Sequence, residues 1–348
     1  MQPAHMECVM TSIAPPPAEL ERQHPLPLCL ANGRLNPAAI GWSRRPMTHC
    51  NLPERLGRRK RWNDWRLLTP DWMLAITLAD LDYLGFANVH FIDLHNGRQL
   101  VRTVRSLFSR GISLPDEPLQ AIRFAHPDLY LEANETATAL ELIVRSTDLV
   151  DSPLSGRFII QHPRHLDSIN LVVPLGGLEF HCASRHIGLP MQGSLTLGSQ
   201  HFQSSHSLSF AALDFGRGIW PYRSHWLRAA FAGPGGVAAN FGSGWTDGSG
   251  LTENAIWLGG QMQKISDAIH FKPDSQRPGY WHLHDDHGRV QLHFTHLQEQ
   301  RSEESLVCLR MYRQLAYGRF DGMLIGEHGE RVKIDGLMGW IGKNNARW

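Results

Sequence analysis

Apolar residues recur in patterns typical of β-strands along most of this chain. Residues 139–145 alternate between apolar and polar positions, which places three aliphatic side chains on one face of an extended strand. The runs 72–80 and 83–93 are mainly apolar and each ends in turn-forming residues. Helical periodicity is not sustained here, and residues 100–108 are the best short candidate for a helix. The pattern predicts an antiparallel β-domain.

The second half of the chain shows the same pattern of short strands and turns. We expect further strands at 261–271, 280–284, 290–296, 315–325 and 331–339. Dipeptides that favour tight turns recur at Asp247-Gly248, His287-Gly288, Asp321-Gly322, His328-Gly329 and Asp335-Gly336. A long antiparallel sheet must close or stack to protect its edges. The spacing therefore predicts two barrels that divide between Leu189 and Phe210.

The length of 348 residues also favours two domains over a single ordinary core. We predict a flexible Pro-rich N-terminal arm at residues 1–31, because this segment lacks periodicity. The first β-barrel is assigned to residues 32–195 and the second to residues 196–348. The predicted fold class is all-β, with two antiparallel barrels packed side by side and an irregular arm.

Charge excludes some classes of partner. The formal net charge is +1, so no bulk field attracts nucleic acid or an acidic membrane. The basic run 57–65 contains Trp62 and Trp65, which can suggest stacking on bases. A solvated turn leading into a strand explains that run better. We expect no nucleic-acid partner.

Cysteine usage and the apolar runs bear on location. The five cysteines are widely spaced and never form a Cys-x-x-Cys pair, which fits reduced thiols better than a disulfide framework. The first thirty residues lack a basic region leading into an apolar run, so we expect no signal peptide. No apolar run approaches the roughly 18 residues of a membrane helix. We expect a cytoplasmic protein without an integral membrane segment, and the sequence does not specify its oligomeric state.

Histidines at one hairpin make a metal site worth weighing. A four-residue loop at 285–288 would pair Leu283 with Val290 and direct those side chains to one face. Three imidazoles would then share the other face, namely His282, His284 and His293. They are candidates to bind zinc, but the solvent face of an edge hairpin explains them better, because the three ligands are close in sequence and no distant acid is directed at them. We expect no metal.

Two other kinds of site find little support. Ser224-His225 lies near Asp214 in sequence, but Gly242-Ser243-Gly244 sits in a Gly-rich bend instead of the strand-to-helix turn of a hydrolase. The glycines at 233–236 lack the spacing and the Lys of a phosphate-binding loop. We expect no cofactor.

The stretch 213–257 has the highest density of Trp, Arg, acid and Gly in the chain. In a strand, Asp214 shares a face with Gly216 and Gly218, and Arg217 lies on the other face. Glu253 follows a second turn and can reach the same end of a barrel, where Arg217 or Arg223 would find a carboxylate partner. This cluster is interpreted either as a ligand or catalytic site or as a structural Arg-acid lock.

These residues also carry a resemblance to a known family. The string Asp214-Phe215-Gly216-Arg217-Gly218-Ile219-Trp220-Pro221-Tyr222, with Glu253-Asn254-Ala255 downstream, resembles a bacterial family known as domain of unknown function 2804. Further matches are Gly41-Trp42-Ser43-Arg44, Lys60-Arg61-Trp62-Asn63-Asp64-Trp65 and Ile169-Asn170-Leu171-Val172-Val173-Pro174. The chain departs from the family's pattern at Leu175, Phe215 and Leu227-Arg228, where enclosing aromatic residues are expected.

A more remote resemblance bears on fold and function. The pattern is similar to the tandem-lipocalin group that contains carotenoid hydratases and tocopherol cyclase. This implies two lipocalin-like barrels packed side by side, with an apolar ligand held in one barrel or between the two. Fold alone does not carry function.

Two functions follow as hypotheses, and whether the protein is an enzyme stays open. The first is a binding protein for a lipid or another apolar small molecule. The alternative is a cofactor-free hydratase, cyclase or isomerase, with Asp214 or Glu253 as the catalytic proton donor. The residues expected to bind ligand or form the lock are Arg217, Trp220, Tyr222, Arg223, Trp226 and Asn254.

Overall fold

The protein is almost entirely antiparallel β-structure. The computed structural model describes residues 19–54, 57–150, 152–163, 166–204, 207–306 and 309–348. Most of the predicted N-terminal arm, residues 1–18, lies outside this part of the chain. The helices among the described residues are short 3-10 turns at Pro37–Ala39 and Pro234–Gly236. No described helix has the length and apolar character required to cross a membrane.

Thirteen strands pair into the first large sheet, and a parallel pair formed by β1 (Leu26–Pro27) and β3 (Thr48–His49) lies outside it. The thirteen strands are β2 (Gly41–Ser43), β4 (Arg59–Leu68), β5 (Trp72–Asp80), β6 (Leu84–Asp93), β7 (Gln99–Leu107), β8 (Ile122–His126), β9 (Leu129–Glu135), β10 (Ala139–Ser146), β11 (Leu154–Gln161), β12 (Ile169–Gly176), β13 (Glu179–Leu197), β14 (Gln200–Gln203) and β15 (Phe210–Ile219). Its main path is β7-β6-β5-β4-β15-β13-β11-β10-β9-β8.

Nine strands form the second sheet, in the order β19-β18-β17-β16-β24-β23-β22-β21-β20. They are β16 (Arg223–Gly233), β17 (Val237–Ser243), β18 (Ala255–Leu258), β19 (Gln261–Lys264), β20 (His270–Pro273), β21 (Tyr280–His284), β22 (Val290–Leu306), β23 (Leu309–Ile325) and β24 (Arg331–Arg347). The chain passes from one sheet to the other between Ile219 and Arg223. The two sheets form one nearly closed barrel and one half-barrel, which confirms the predicted fold class. The division into domains at residue 196 stays a prediction.

Several predicted elements are confirmed and several are wrong. The strand at 72–80 is β5, whereas the candidate helix at 100–108 is the strand β7, because pairing with β6 along its whole length outweighs local periodicity. The predicted strand 261–271 is divided into β19 and β20, which lie at opposite edges of the second sheet.

Two predicted turns are strand irregularities. Asp321-Gly322 and Asp335-Gly336 lie inside β23 and β24, where the backbone NH of Gly336 donates to Asp321 Oδ1 at 2.7 Å. Both glycines have positive φ, and the register shifts after Phe320. Glycine therefore permits a β-bulge here and not a chain reversal.

The histidine hairpin forms with a longer loop than predicted. Leu283 pairs with Leu292 instead of Val290, because Asp285 Oδ1 accepts a hydrogen bond from the Val290 NH at 2.9 Å and extends the loop. The observed register differs from the predicted register by two residues, so the same side chains face inward and outward as predicted.

Three apolar clusters account for the packing. One fills the inner side of the first sheet and includes Phe158 and Phe215, and another fills the second sheet around Phe231 and Phe320. The third contains residues of both sheets, among them Trp340, and lies between them. Alternation explains this arrangement, since successive side chains of a strand point to opposite faces.

A segment near the N-terminus fastens the two sheets together. Glu19 is nearly inaccessible and accepts hydrogen bonds from Lys264 Nζ at 2.6 Å and from the backbone NH of Thr252 at 3.2 Å. The indole NH of Trp42 in β2 donates to the Glu19 carbonyl at 3.1 Å. Residues of the first and second sheets are thus joined through one carboxylate and its backbone.

Gly216 has no side chain because an indole occupies the space beside it. A Cβ at this position would lie 2.2 Å from Cε2 and Cζ2 of Trp62, the residue paired with it on β4. The rigid ring cannot move aside as the end of a flexible side chain can.

We expect Gly216→Ala to lower the free energy of unfolding by roughly 1–3 kcal/mol, because overpacking displaces Trp62. Gly342→Ala is the matched control, since its Cβ would meet only the flexible end of Leu315 at 3.2 Å. Urea titration of both variants measures the effect. An equal effect at the two positions would contradict this account of Gly216.

Candidate functional site

A cleft of about 190 Å³ lies between the outer faces of the two sheets. Strands β4 to β7 and β15 form one side, and β16 and β22 to β24 form the other. Exposed residues line its mouth, among them Val101, Arg105, Glu304 and Leu306. An apolar cavity of about 150 Å³ is enough to bind benzene, and this cleft is larger and open on one side.

A polar row crosses the first sheet beneath the cleft. Strand register places its members opposite one another, in the order Arg185, Asp214, Asp64, Thr77, Asn88 and Thr103. Neighbouring strands lie about 4.8 Å apart, so successive side chains of the row lie close together. Thr77 Oγ1 donates to Asp64 Oδ1 at 2.8 Å, which shows the contact directly.

Four charged side chains at one end of the cleft form what we call the ion network: Arg185, Asp214, Arg228 and Glu253. Asp214 pairs with both arginines, and Arg185 Nε donates to Glu253 Oε2 at 2.9 Å. Arg228 Nε lies 3.7 Å from the same Glu253 oxygen. Arg185 and Asp214 belong to the first sheet, and the other two residues belong to the second half of the chain. The ion network therefore crosses between the sheets.

Indole groups complete the coordination of both carboxylates. Trp62 Nε1 donates to Asp214 Oδ1 at 2.9 Å, and Trp245 Nε1 donates to Glu253 Oε1 at 2.5 Å. The Asp214 side chain is 18% exposed and lines the cleft, whereas Glu253 is inaccessible. Asp214 is thus the carboxylate of the pair that a ligand can contact.

The electrostatics keep both carboxyls ionised. Burial alone raises the pKa of Asp214, but the charges of Arg185 and Arg228 outweigh it and hold the pKa below its ordinary range. The same balance lowers the pKa of Glu253, with a further contribution from the Trp245 indole NH. At neutral pH each carboxylate accepts hydrogen bonds and carries no proton to donate.

Aromatic rings pack beside the ion network. Trp220 contacts Trp226 and Trp348 at centroid distances of 5.7 and 6.2 Å, and all three residues line the cleft. His181 lies behind them, stacked on Trp62 at 4.9 Å, and its Nδ1 accepts from the Trp220 indole NH at 3.1 Å. Burial holds the pKa of His181 well below its ordinary value, so the ring is neutral. These rings form an apolar surface next to Asp214.

The structure brings some predicted site residues together and separates others. Asp214 and Glu253 meet through their shared arginines, and Trp220 and Trp226 line the same cleft. Arg217 is on the opposite face of β15, where it donates to Asn63 Oδ1 at 2.8 Å and to the Pro115 carbonyl.

The remaining three predicted residues are also away from the cleft. Arg223 is exposed at the start of β16. Tyr222 is 48% exposed and its hydroxyl accepts from Arg347 Nε at 2.6 Å. Asn254 is buried and joins the Gly242 NH to the Asp267 carbonyl, which is a structural role.

The arginines that do pair with Asp214 and Glu253 were missed. Arg185 is far away in sequence and meets Asp214 only because β13 and β15 pair in a register that sets them opposite. Arg228 had a local signal, since it lies on the same face of β16 as Ala230, the face that packs against the first sheet. The alternation of side chains along a strand also argues against Arg217 as a partner of Asp214. Arg217 lies three positions from Asp214 and is therefore on the other face of the strand.

The histidine hairpin is on the outer side of the second sheet. His282 Nδ1 and His293 Nδ1 lie 2.9 Å apart, and His284 packs against His270 at 5.0 Å between ring centroids. Among the described residues, no group of three His, Cys, Asp or Glu side chains is arranged to hold a metal ion.

We expect Glu253→Gln to lower the free energy of unfolding by on the order of 3 kcal/mol, because it leaves two buried arginine charges with Asp214 as their one carboxylate partner in the ion network. Asp335→Asn is the control, since it breaks an ion pair with Lys333 that is exposed on both sides. Denaturant titration should show a large loss for the first variant and little change for the second. Equal losses would contradict a stabilising role for the ion network.

The ion network also predicts a response to acid. The folded-state pKa values of Asp214 and Glu253 lie below their ordinary values of 3.8 and 4.5, so their stabilisation is present above those values and is lost as the pH falls through the folded pKa values. We expect Asp214→Asn to be less stable at neutral pH and to lose less further stability on acidification.

Free energies of unfolding at intervals from about pH 6 to pH 3 test this expectation. Asp286→Asn, which changes an exposed carboxylate, should retain the native slope. An Asp214→Asn slope as steep as the native one would show that Asp214 is not stabilised in the folded state.

Comparison with known proteins is consistent with this architecture. Kievitone hydratase from Nectria haematococca is similar with a TM-score of 0.53 and 11% identity, over 84% of this chain and 89% of that chain. An AttH-like protein from Nitrosomonas europaea has a TM-score of 0.55 and 12% identity, over 82% of this chain and 92% of that chain. At this identity the likeness shows the fold alone. No curated protein matches the chain.

A family model covers almost all of the described sequence. The model is described as Domain of unknown function (DUF2804) and matches residues 19–348. This range includes both sheets, the cleft and all four members of the ion network. The resemblance drawn from the sequence is confirmed, and the chain belongs to the family Domain of unknown function (DUF2804).

Proposed function

We propose that this protein binds an apolar small molecule, such as a lipid, in the cleft between its two sheets. The observation that carries the proposal is the position of the cleft, which is open at its mouth and bordered by Trp220, Trp226 and Trp348. Aromatic and aliphatic surface with a few placed polar groups is typical of small-molecule sites.

Packing favours the cleft over the barrel interiors as the place where a ligand binds. The inner side of the first sheet is filled by buried aromatic and aliphatic residues, and Phe231, Phe294 and Phe320 fill the second. Protein interiors packed at ordinary density leave no room for a ligand without large rearrangement. The two facing outer surfaces meet less completely, because polar residues interrupt them.

In this proposal the ion network mainly forms a rigid wall at one end of the binding site. Its four charges neutralise one another, so it presents a rigid surface without excess charge. This role combines the two interpretations of the cluster, since the same residues fasten the sheets and border the cleft.

A second candidate function is favoured by the exposure of Asp214. Its ionised carboxylate faces the cleft beside aromatic surface, which suits stabilisation of positive charge that develops on a substrate and does not suit a proton donor. In a cofactor-free isomerase, hydratase or cyclase, Asp214 would be the catalytic residue. Glu253 would be a positioning residue, since it is inaccessible and acts through Arg185.

A cytoplasmic location is part of the proposal. Cys50 and Cys182 are buried and carry free thiols. Reduced cysteines are the ordinary state in the cytoplasm.

Binding of the neutral fluorophore N-phenyl-1-naphthylamine tests the proposed function. We expect saturable binding to the native protein, and we expect Ala75→Phe or Thr103→Phe to weaken it by about tenfold or more, since both positions line the cleft. Fluorescence titration measures the affinity, and circular dichroism checks the fold of each variant.

Leu178→Phe is the control, because it adds the same ring at an exposed position outside the cleft. It should leave the affinity unchanged. Absence of saturable binding, or native affinity in both cleft variants, would overturn the proposed function.

A further inference from the structure

Three buried polar atoms without partners lie at or beside the cleft, around Arg66, which is within electrostatic range of Asp214 and Arg228 of the ion network. They are Arg66 Nη1, His90 Nε2 and the Tyr317 hydroxyl, none of which has a hydrogen-bond partner among the described residues. Arg66 is 9% exposed, His90 is 3% exposed and Tyr317 is inaccessible. Buried polar groups are nearly always hydrogen-bonded in native proteins, so three exceptions in one place require an explanation.

Strand register sets two of these groups in one row of the sheet, on either side of a small residue. Arg66 on β4 and His90 on β6 flank Ala75 on β5, and all three side chains line the cleft. The guanidinium of Arg66 lies 4.8 Å from the ring centroid of Trp340, so it also contacts the second sheet. Its other two nitrogens bond to Asp64, which leaves Nη1 as a buried donor without a partner among the described residues.

Arg313 brings a positive charge to the same region from β23. Its Nε donates to Asn344 Oδ1 at 3.2 Å, and among the described residues no carboxylate lies within ion-pairing distance of it. Burial, together with the nearby charges of Arg313 and Arg66, lowers the pKa of His90 to about 4, although a hydrogen bond with Gln99 acts in the opposite direction. His90 is therefore a neutral imidazole within electrostatic range of both guanidinium groups.

The remaining charges of the cleft are paired. The ion network is internally balanced, Arg66 has Asp64, and Arg105 has Glu304 at the mouth. Arg313 supplies the positive charge that has no matching carboxylate. A half-buried uncompensated charge is costly unless an opposite charge approaches it.

We propose that the ligand of this cleft carries one anionic oxygen group, which binds between Arg313, Arg66 and His90 while its apolar body lies along the aromatic residues. The inference rests on the proposed function and adds the chemical class of the ligand. Arginine donors and a neutral imidazole suit a carboxylate or sulfonate, whereas they repel or fail to neutralise a cation. Tyr317 provides a further hydroxyl behind Arg66.

A matched pair of fluorophores tests the charge. 8-Anilinonaphthalene-1-sulfonate has the same ring system as N-phenyl-1-naphthylamine with one added sulfonate. We expect the sulfonate probe to bind the native protein about tenfold more tightly than the neutral probe, and each probe to displace the other. Equal or weaker binding of the sulfonate probe would overturn the inference, and this comparison needs no variant.

The variant Arg313→Gln tests whether this residue causes the preference for the sulfonate probe. We expect it to weaken sulfonate binding about tenfold and to leave the affinity for the neutral probe within about twofold. Arg319→Gln is the matched control, because it makes the same change at an exposed position of the same strand. Arg313→Lys should restore part of the sulfonate affinity, since it retains the charge and loses the planar donor geometry.

The outcomes separate the two proposals. Binding of the neutral probe in the cleft without a preference for the sulfonate refutes the anion site and leaves the proposed function intact. Parallel loss of both probes in Arg313→Gln also refutes the anion site, because the residue then acts on packing and not on charge. Failure of both probes to bind the native cleft refutes both proposals.

Discussion

The arrangement of the two sheets depends on the buried pairing of two arginines with two carboxylates. Arg185 and Asp214 come from the first sheet, and Arg228 and Glu253 come from the second half of the chain. Burying one such charge without its partners is strongly unfavourable, so the four groups favour a single relative position of the sheets. The apolar cluster shared by both sheets then packs around that position. The cleft is the space left where polar residues prevent the two surfaces from meeting.

This geometry divides the cleft into regions of different chemistry. One end holds the balanced ion network with Asp214 at its surface, and aromatic rings follow. A neighbouring region contains Arg66, His90 and Arg313, where positive charge exceeds negative charge. A molecule with an apolar body and one acidic group matches this order of surfaces. The polar regions give orientation, and the rings give most of the buried area.

The sequence predicts the fold better than it predicts the site, and particular residues show why. The apolar run of β5 and the alternation along β10 report burial directly, whereas β7 resembles a helix until its pairing with β6 is known. Asp214 and Glu253 stand out because they lie in the stretch with the highest density of Trp, Arg, acid and Gly. Their partners do not, since the contact of Arg185 with Asp214 depends on a strand register that no local pattern encodes. Leu227-Arg228 is one of the three places where the sequence departs from the aromatic pattern expected for the family. Arg228 at this place is part of the ion network.

The most direct test of this account is a crystal structure of the protein with 8-anilinonaphthalene-1-sulfonate bound. The account predicts that the rings lie between the two sheets beside Trp220 and Trp226, with the sulfonate at Arg313 and Arg66 and with the ion network unchanged. Binding inside either barrel, or at the outer surface away from the cleft, would contradict it.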